Sequence, residues 1–515
     1  MRDDSVRQAP LAMDAAAFRA LGHRLVDQLA ESLEGVQRGP VTRDESPSAV
    51  RQALDLSAPL PESGMDPGPL LERTAQLLFE HSLFNAHPRF FGYITAAPAP
   101  IGVLGDFLAS AVNANVGAWT LSPAATEIES QTVRWIASFI GYPVDCGGLL
   151  LSGGNMANIV CFLAARAAKA PWNVRERGVI GDSGQRLRVY CSAETHTWIQ
   201  KAADIGGLGT DSIRWIPTDH NLRMNVSALG RQIEADKAAG DVPCMVVGTA
   251  GSVSTGAVDP LPDISAVCEE YDVWFHVDGA YGGFAAAVPD APDDLRALTA
   301  AHSVAVDPHK WLYAPLEAGC ALVREPGLLR AAFAYHPPYY HFDEQATNYV
   351  DYGPQNSRGF RALKVWLGLR HAGASGFRTM IAEDIRLSRA MGDAVRRCAE
   401  LELITQELSI TTFRYVPCDL RPKLGDPAVE RYLDSLNRHV LDRLQHGGEA
   451  FVSNAVVGNR YVLRACIVNF HTTQADVEAI VEIAVRVGRE VHAERIPDRD
   501  DPSQRGPIGA MRHRP

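Results

Sequence analysis

Between about residues 100 and 330, short apolar β-rich runs alternate with helical stretches, and this alternation constrains the fold more than any other feature of the chain. The runs are Gly148–Leu151, Arg188–Cys191, Ile213–Ile216, Met245–Gly248, Val273–Val277, Ser303–Val306 and Ala318–Val323. Strands buried on both faces read as continuous apolar runs, and a helix that returns the chain to the same edge makes its neighbours parallel. The expected architecture is α/β: a mostly parallel seven-stranded sheet sandwiched by helices. Ligands of such sheets bind beyond the carboxyl ends of the strands. The residues that close each run are therefore the first candidates for chemistry.

The flanks have a different period. Residues 14–37 predict an amphipathic helix, with Phe18, Leu21, Leu25, Leu29 and Leu33 at spacings of three and four and Asp14 as its cap. A second helical pattern covers Leu70–Phe84. Two such helices cannot cover each other's apolar faces, so they are expected to pack on the main body or on another subunit. A long helical region follows at 360–400, with a break expected at His371–Gly376. Ile410–Val416, Ala455–Val457 and Tyr461–Val468 read as strands of a smaller α+β unit. A last helix, Gln474–Val491, follows Thr472 or Thr473 as cap. Ile496–Pro515, rich in Pro, Gly and charge, reads as a disordered tail.

Composition narrows the function. The net charge is −12, with no Lys/Arg-dense stretch outside the extreme C-terminus, which argues against a nucleic-acid partner. Nine cysteines are scattered with no CxxC pair, so no metal site is expected and the thiols suit a reducing cytoplasm. The first residues lack the apolar core of a signal peptide, and no unbroken apolar run is long enough to span a membrane.

Five segments at strand ends carry candidate chemistry. Leu149–Asn158 joins a strand to a helix through Ser152-Gly153-Gly154-Asn155, and free N–H groups at a helix start suit a phosphate. It lacks the Walker and dinucleotide patterns, and a tight turn alone would also explain it. Val273–Gly283 is an apolar strand ending in Asp278, followed by small residues including Ala280; helix capping is the plainer explanation of such an Asp. Asp307-Pro308-His309-Lys310-Trp311 sets a lysine directly after a buried strand, where desolvation can make it a usable amine nucleophile. His196 opens a helix after Arg188–Cys191, placed to stack on a flat ligand or to serve as a cap. Gly248–Gly256 offers small hydroxyls, Thr249 first. A phosphate cradle, a stacking imidazole, a buried carboxylate and an activated amine together match what pyridoxal 5'-phosphate requires.

On these motifs the chain resembles the group II pyridoxal-phosphate-dependent decarboxylases of fold type I, and most of all the aromatic-L-amino-acid decarboxylases. The likeness runs from about Phe18 to Val491. Asp307–Trp311 looks like the family's Schiff-base motif, and His276-Val277-Asp278-Gly279-Ala280-Tyr281 like its pyridine-nitrogen motif. Ser152–Asn158 resembles its phosphate turn, with Asn155 and Met156 where the family carries Ser and Glu. His87–Tyr93 and Trp119 to Glu127 are similar to its substrate-pocket segments, and Phe333–Tyr339 to its mobile loop.

The resemblance implies a homodimer with a shared active site and residues in named roles. Lys310 would carry the cofactor, Asp278 would keep the ring nitrogen protonated, and His196 and Ala280 would flank the ring. Gly154 and Asn155 would hold the phosphate, with Thr249 and His309 orienting groups nearby. Tyr339 would protonate Cα as general acid. Asp307 would be repelled by a phosphate, so it is expected to bond backbone or a helix end. His87, Phe91, Tyr93, Trp119 and Ser357 would line a pocket for an aromatic L-amino acid. The implied division is 1–98 N-terminal helical dimerisation segment, 99–372 large cofactor-binding α/β domain, 373–495 small C-terminal α+β domain and 496–515 tail.

Other readings stay open at this point. They are an aldehyde synthase, a decarboxylase of an acidic amino acid, for which no pocket cation is evident in the sequence, and a non-catalytic binding protein.

Overall fold

The computed structural model describes residues 9–181, 184–336 and 346–495. Tyr339 and the expected tail from Ile496 onward lie outside those residues.

Seven strands form the main sheet: β1 (Gly147–Leu151), β2 (Leu187–Ser192), β3 (Ile213–Ile216), β4 (Val242–Thr249), β5 (Trp274–Asp278), β6 (Ser303–Val306) and β7 (Gly319–Val323). Their order is β1-β7-β6-β5-β4-β2-β3. Both faces are buried because successive side chains point to opposite sides. Leu150, Val246, Phe275, Val277 and Val304 pack into one helical layer, while Leu149, Leu151, Met245, Val247 and Trp274 pack into the other. Each side chain of this size contributes about 1.5–3 kcal/mol on full burial. A polar face would leave one of the layers unpaired, which is why the runs read as unbroken apolar segments.

Only β7 runs against its neighbours: it is antiparallel to both β1 and β6. After β6 no helical crossover intervenes. The chain makes the turn that holds Lys310 and comes straight back as β7, an arrangement open only to antiparallel strands. The carboxyl ends of β1, β2, β4, β5 and β6 therefore share one edge with the Lys310 turn.

A second sheet, ordered β10-β11-β9-β8, is antiparallel throughout and is built from β8 (Leu401–Glu407), β9 (Ile410–Tyr415), β10 (Ser453–Val457) and β11 (Arg460–Cys466). Helices Pro427–His446 and Gln474–Arg495 cover it, with Leu436, Val440, Ile480 and Ala484 in its core. Thr473 caps the last helix: its hydroxyl accepts from the N–H of Asp476, and the Asp476 carboxylate accepts from Thr473 N at 3.0 Å. The helix Ala362–Arg397 joins the two sheets and breaks at Gly373, whose φ is 65°, inside the expected window.

At the N-terminus, helix Ala15–Val36 is capped by Asp14, which accepts from Ala17 N at 2.7 Å. It packs beside Pro67–Glu80 yet leaves Phe18, Val26, Leu70 and Leu78 exposed. Helix Pro100–Val112 likewise exposes Leu104, Phe107, Leu108 and Val112. Among the described residues no helix is long and apolar enough to cross a membrane.

Candidate active site

A cavity of about 700 Å³ opens at the carboxyl edge of the main sheet. Its floor is the start of helix Gly154–Lys169. Gly153 precedes that helix with φ 97°, a conformation that glycine adopts without penalty, and no side chain caps the first turn. The free N–H groups there face the cavity edge and suit an anion. A Cβ on Gly154 would lie 2.7 Å from Asp307 Oδ2 and 3.0 Å from the Cβ of Ala280. The cradle therefore tolerates only glycine without rearrangement. Asn155 and Ser152 line the same floor.

Asp278 ends β5 and is held from two sides. Its Oδ2 accepts from the indole Nε1 of Trp198 at 2.7 Å, and its Oδ1 accepts from Ala280 N at 3.1 Å. One edge of the carboxylate is thus fixed while the group still lines the cavity. Below it, His276 is wholly buried. His276 Nε2 meets Asn158 Oδ1 at 2.7 Å, and Nδ1 meets Ser303 Oγ at 2.8 Å.

The Nζ of Lys310 enters the cavity and pairs with Asp307 Oδ2 at 2.9 Å. This corrects the expectation for Asp307. Its carboxylate faces the amine rather than backbone, because the turn folds residue 310 back over residue 307, with Lys310 N donating to Asp307 O at 2.9 Å. Asp307 Oδ1 is buried and has no hydrogen-bond partner among the described residues, and the same holds for Thr249 Oγ1. His309 turns its Nδ1 to the carbonyl of Ala318 at 2.7 Å, and its Nε2 lies 3.7 Å from Asp307 Oδ2. Desolvation lowers the pKa of His309, against the opposing charge of Asp307. His196 also lines the cavity, and its pKa is lowered chiefly by desolvation, with Asp278 opposing and Lys310 adding to it.

Lys310, Asp278, His196, His309, Ala280, Gly154, Asn155, Thr249 and Tyr93 all line this one cavity. Four other expected residues do not reach it in the single chain. Phe91 is fully buried in the core of the second sheet. His87 is buried, with its Nε2 3.1 Å from the carbonyl of Gly39, where burial lowers its pKa. In both cases the chain needs the side chain for packing between the N-terminal segment and the C-terminal body. Trp119 donates its Nε1 to Glu127 at 2.9 Å on the outer surface, and Ser357 is exposed. The segments bearing them pair with each other, Val116 N donating to Arg358 O at 2.8 Å, beside β1, whose Leu150 O accepts from Arg358 Nη2 at 2.8 Å.

The sequence reading missed two residues. Trp198, which fixes Asp278, follows His196 by two positions. Arg464 is 3% exposed and lines the cavity from β11. Its Nη1 donates to Tyr93 O at 3.0 Å and to Ser453 Oγ at 3.1 Å, while its Nε and Nη2 are buried without partners among the described residues. The signal for it was a charge inside the apolar run Tyr461–Val468.

The set fits pyridoxal phosphate. A glycine-only cradle at a helix start would take the phosphate, an anchored carboxylate would meet a ring nitrogen, an amine sits within the cavity, and the Thr249 hydroxyl lines its wall. Among the described residues no cluster of three or more His, Cys, Asp or Glu side chains is placed to hold a metal ion.

The chain is similar to known proteins along most of its length. Residues 47–416 match the sequence model of the pyridoxal-dependent decarboxylase conserved domain. An aromatic-L-amino-acid decarboxylase of Bacillus atrophaeus is 32% identical over 482 residues, covering 93% of this chain and 96% of its own length. A phenylacetaldehyde synthase from a Rosa hybrid cultivar is 30% identical, covering 89% of this chain and 91% of its own. Among solved structures, Oryza sativa TDC with PLP and tryptamine superposes with a TM-score of 0.86 at 28% identity, covering 94% of this chain and 99% of that one.

Proposed function

The chain belongs to the pyridoxal-dependent decarboxylase family, and from that premise we propose that its cavity releases the α-carboxylate of an aromatic L-amino acid as CO2 and leaves the amine. The protein is a pyridoxal-phosphate-dependent carboxy-lyase. The observation that carries the reading is the convergence of Lys310, Asp278 and the Gly154 cradle on one cavity.

When bound, pyridoxal phosphate supplies an aldehyde that captures amines and a protonated ring that accepts the electron pair of a breaking Cα–carboxylate bond. Lys310 Nζ is the amine that holds the aldehyde. Asp278, fixed by Trp198, keeps a proton on the ring nitrogen. The helix start at Gly154 and Asn155 binds the phosphate. His196, whose pKa burial lowers, would flank the ring with an uncharged imidazole, with Ala280 beside it. His309 and Thr249 orient polar groups near the reacting atoms. Tyr339 is the proposed acid that returns a proton to Cα. Tyr93 belongs to the substrate side of the cavity.

Arg464 supports a second reading. A cation on the departing carboxylate would stabilise a charge that is lost in the transition state, which slows the step. Its free N–H groups therefore suit a polar group elsewhere on the substrate, either a phenolic hydroxyl or a side-chain acid.

We further propose a homodimer, supported by the uncovered apolar residues of Ala15–Val36, Pro67–Glu80 and Pro100–Val112. Trp119 and Ser357, on the outer surface, then contribute to the partner's cavity. The nine free cysteines, mostly buried, suit a cytoplasmic protein.

A panel of aromatic and acidic L-amino acids, assayed for CO2, amine, ammonia and peroxide, tests the substrate class. Tyrosine or tryptophan is expected to give amine and CO2 in equal amounts. Ammonia and peroxide would instead identify an aldehyde synthase. Lys310→Ala is expected to be colourless with added cofactor and to lose at least about a thousandfold in turnover. A yellow, active variant would refute the assignment of the amine.

A further inference from the structure

We propose that Asp384, a buried carboxyl on the helix Ala362–Arg397, is a positioning residue that fixes the turn carrying Lys310. The proposal rests on the reading of Lys310 as the cofactor-bearing amine.

Asp384 is 2% exposed. Its Oδ2 accepts two hydrogen bonds, from Trp311 Nε1 at 3.1 Å and from the hydroxyl of Tyr313 at 2.7 Å. These donors are the first and third residues after Lys310. The carboxyl thus grips the turn immediately downstream of the amine, although it lies more than seventy positions away in sequence. The backbone N–H of Asn469, from the C-terminal body, bonds the same carboxyl.

The turn needs such a grip. Tyr313 has φ 50°, a left-handed conformation unfavourable for a residue with a side chain. Trp311 also packs against Tyr281, with ring centroids 4.7 Å apart. The hydroxyl of Tyr281 is tied to Ser409 Oγ at 2.8 Å and accepts from Ser409 N at 2.9 Å. Tyr281 follows Ala280 in the cavity wall. The wall beside Ala280, the Lys310 turn and Asp384 therefore pack as one unit, with the second sheet behind it.

Packing alone does not account for a carboxyl here. Among the described residues no lysine or arginine pairs with it, and desolvation pushes its pKa up to about 7. An apolar side chain would fill the space without that cost. What it could not do is orient an indole and a phenol that point at one atom.

The experiment compares Asp384→Leu, Asp384→Asn and Asn437→Leu. Asn437 is a buried polar residue that bonds the backbone of Tyr415 and Leu433 in the second core, so its loss controls for general destabilisation. Cofactor affinity is read by titrating the cofactor-free protein with pyridoxal phosphate. The visible absorption of the lysine-bound cofactor is recorded alongside melting of the cofactor-free form. Asp384→Leu is expected to weaken binding about tenfold or more and to shift the absorption band, because two buried donors lose their acceptor. Asp384→Asn, which keeps an acceptor oxygen, should restore both to within about threefold. Asn437→Leu should lower melting without moving the band.

Wild-type affinity and an unshifted band in a folded Asp384→Leu protein would overturn the proposal. If Asp384→Leu does not fold, Tyr313→Phe decides, because it deletes one donor and keeps the ring; unchanged affinity and absorption would then overturn it. Lys310→Ala loses the lysine-bound band whatever Asp384 does, so the two assignments fail separately.

Discussion

His276 lies two residues before Asp278 on β5, and both of its ring nitrogens are engaged. Nε2–H donates to Asn158, and Nδ1 accepts from Ser303, whose Oγ in turn accepts from Trp274 Nε1 at 2.8 Å. That pattern needs a neutral ring. Complete burial lowers its pKa from 6.5 to about 4, against the pull of Asp278. The unfolded chain takes up a proton near 6.5 and the folded chain resists it. The stability from His276 is therefore full above about pH 6.5 and is lost as pH falls toward 4, amounting to about 3 kcal/mol. Melting curves of the wild type and His276→Gln between neutrality and pH 4.5 check this, and the acid slope should shrink in the variant. At this scale the sequence disclosed residues that end an apolar run, such as Lys310, Asp278 and Thr249, because position relative to a strand is a local property. It concealed Trp198, Arg464 and Asp384, whose meaning lies in partners distant along the chain. His87 and Phe91 misled for the same reason: a motif names a residue type, whereas packing decides which way it faces.

On the proposed assignment, the element that governs cofactor binding is the helix Gly154–Lys169. Its first residue must lack a Cβ, since Asp307 Oδ2 and Ala280 crowd that point. Gly154→Ala is expected to weaken pyridoxal phosphate binding by about tenfold or more, while melting of the cofactor-free protein stays within a few degrees, roughly, because alanine favours helix and offsets part of the crowding. Equilibrium titration and melting of the same preparations separate the two effects. Most elements were legible from period alone, and the break at Gly373 from a glycine in a helical pattern. The edge strand β8 was not, because its side chains are mostly half-buried and its polar and apolar residues are mixed. The helix Pro427–His446 was passed over in the sequence, although Asp426 followed by Pro427 marks its start and an apolar stripe runs from Leu433 to Leu444. The reversal of β7 had no local signal, since direction is set by the length of the preceding connection.

For the whole molecule, the apolar face of Pro100–Val112 is the clearest unfinished surface. Leu104 and Phe107 are each about half exposed, side by side with Leu108 and Val112. Charges there should oppose self-association while leaving the chain folded. The double variant Leu104→Asp, Phe107→Lys is expected to sediment near 55.9 kDa, with the wild type at twice that, and to lose most of its turnover. Analytical ultracentrifugation with a parallel assay checks both. The single chain also divides its cavity in a way that bears on selectivity. Lys310 hangs from the first sheet, whereas Arg464 reaches in from the second. Substitutions confined to the Arg464 side of β11, around Ser453 and Tyr93, would move that jaw, while the Lys310 turn stays gripped by Asp384. Such changes would retune which side chains the enzyme accepts while the bond it breaks stays the same.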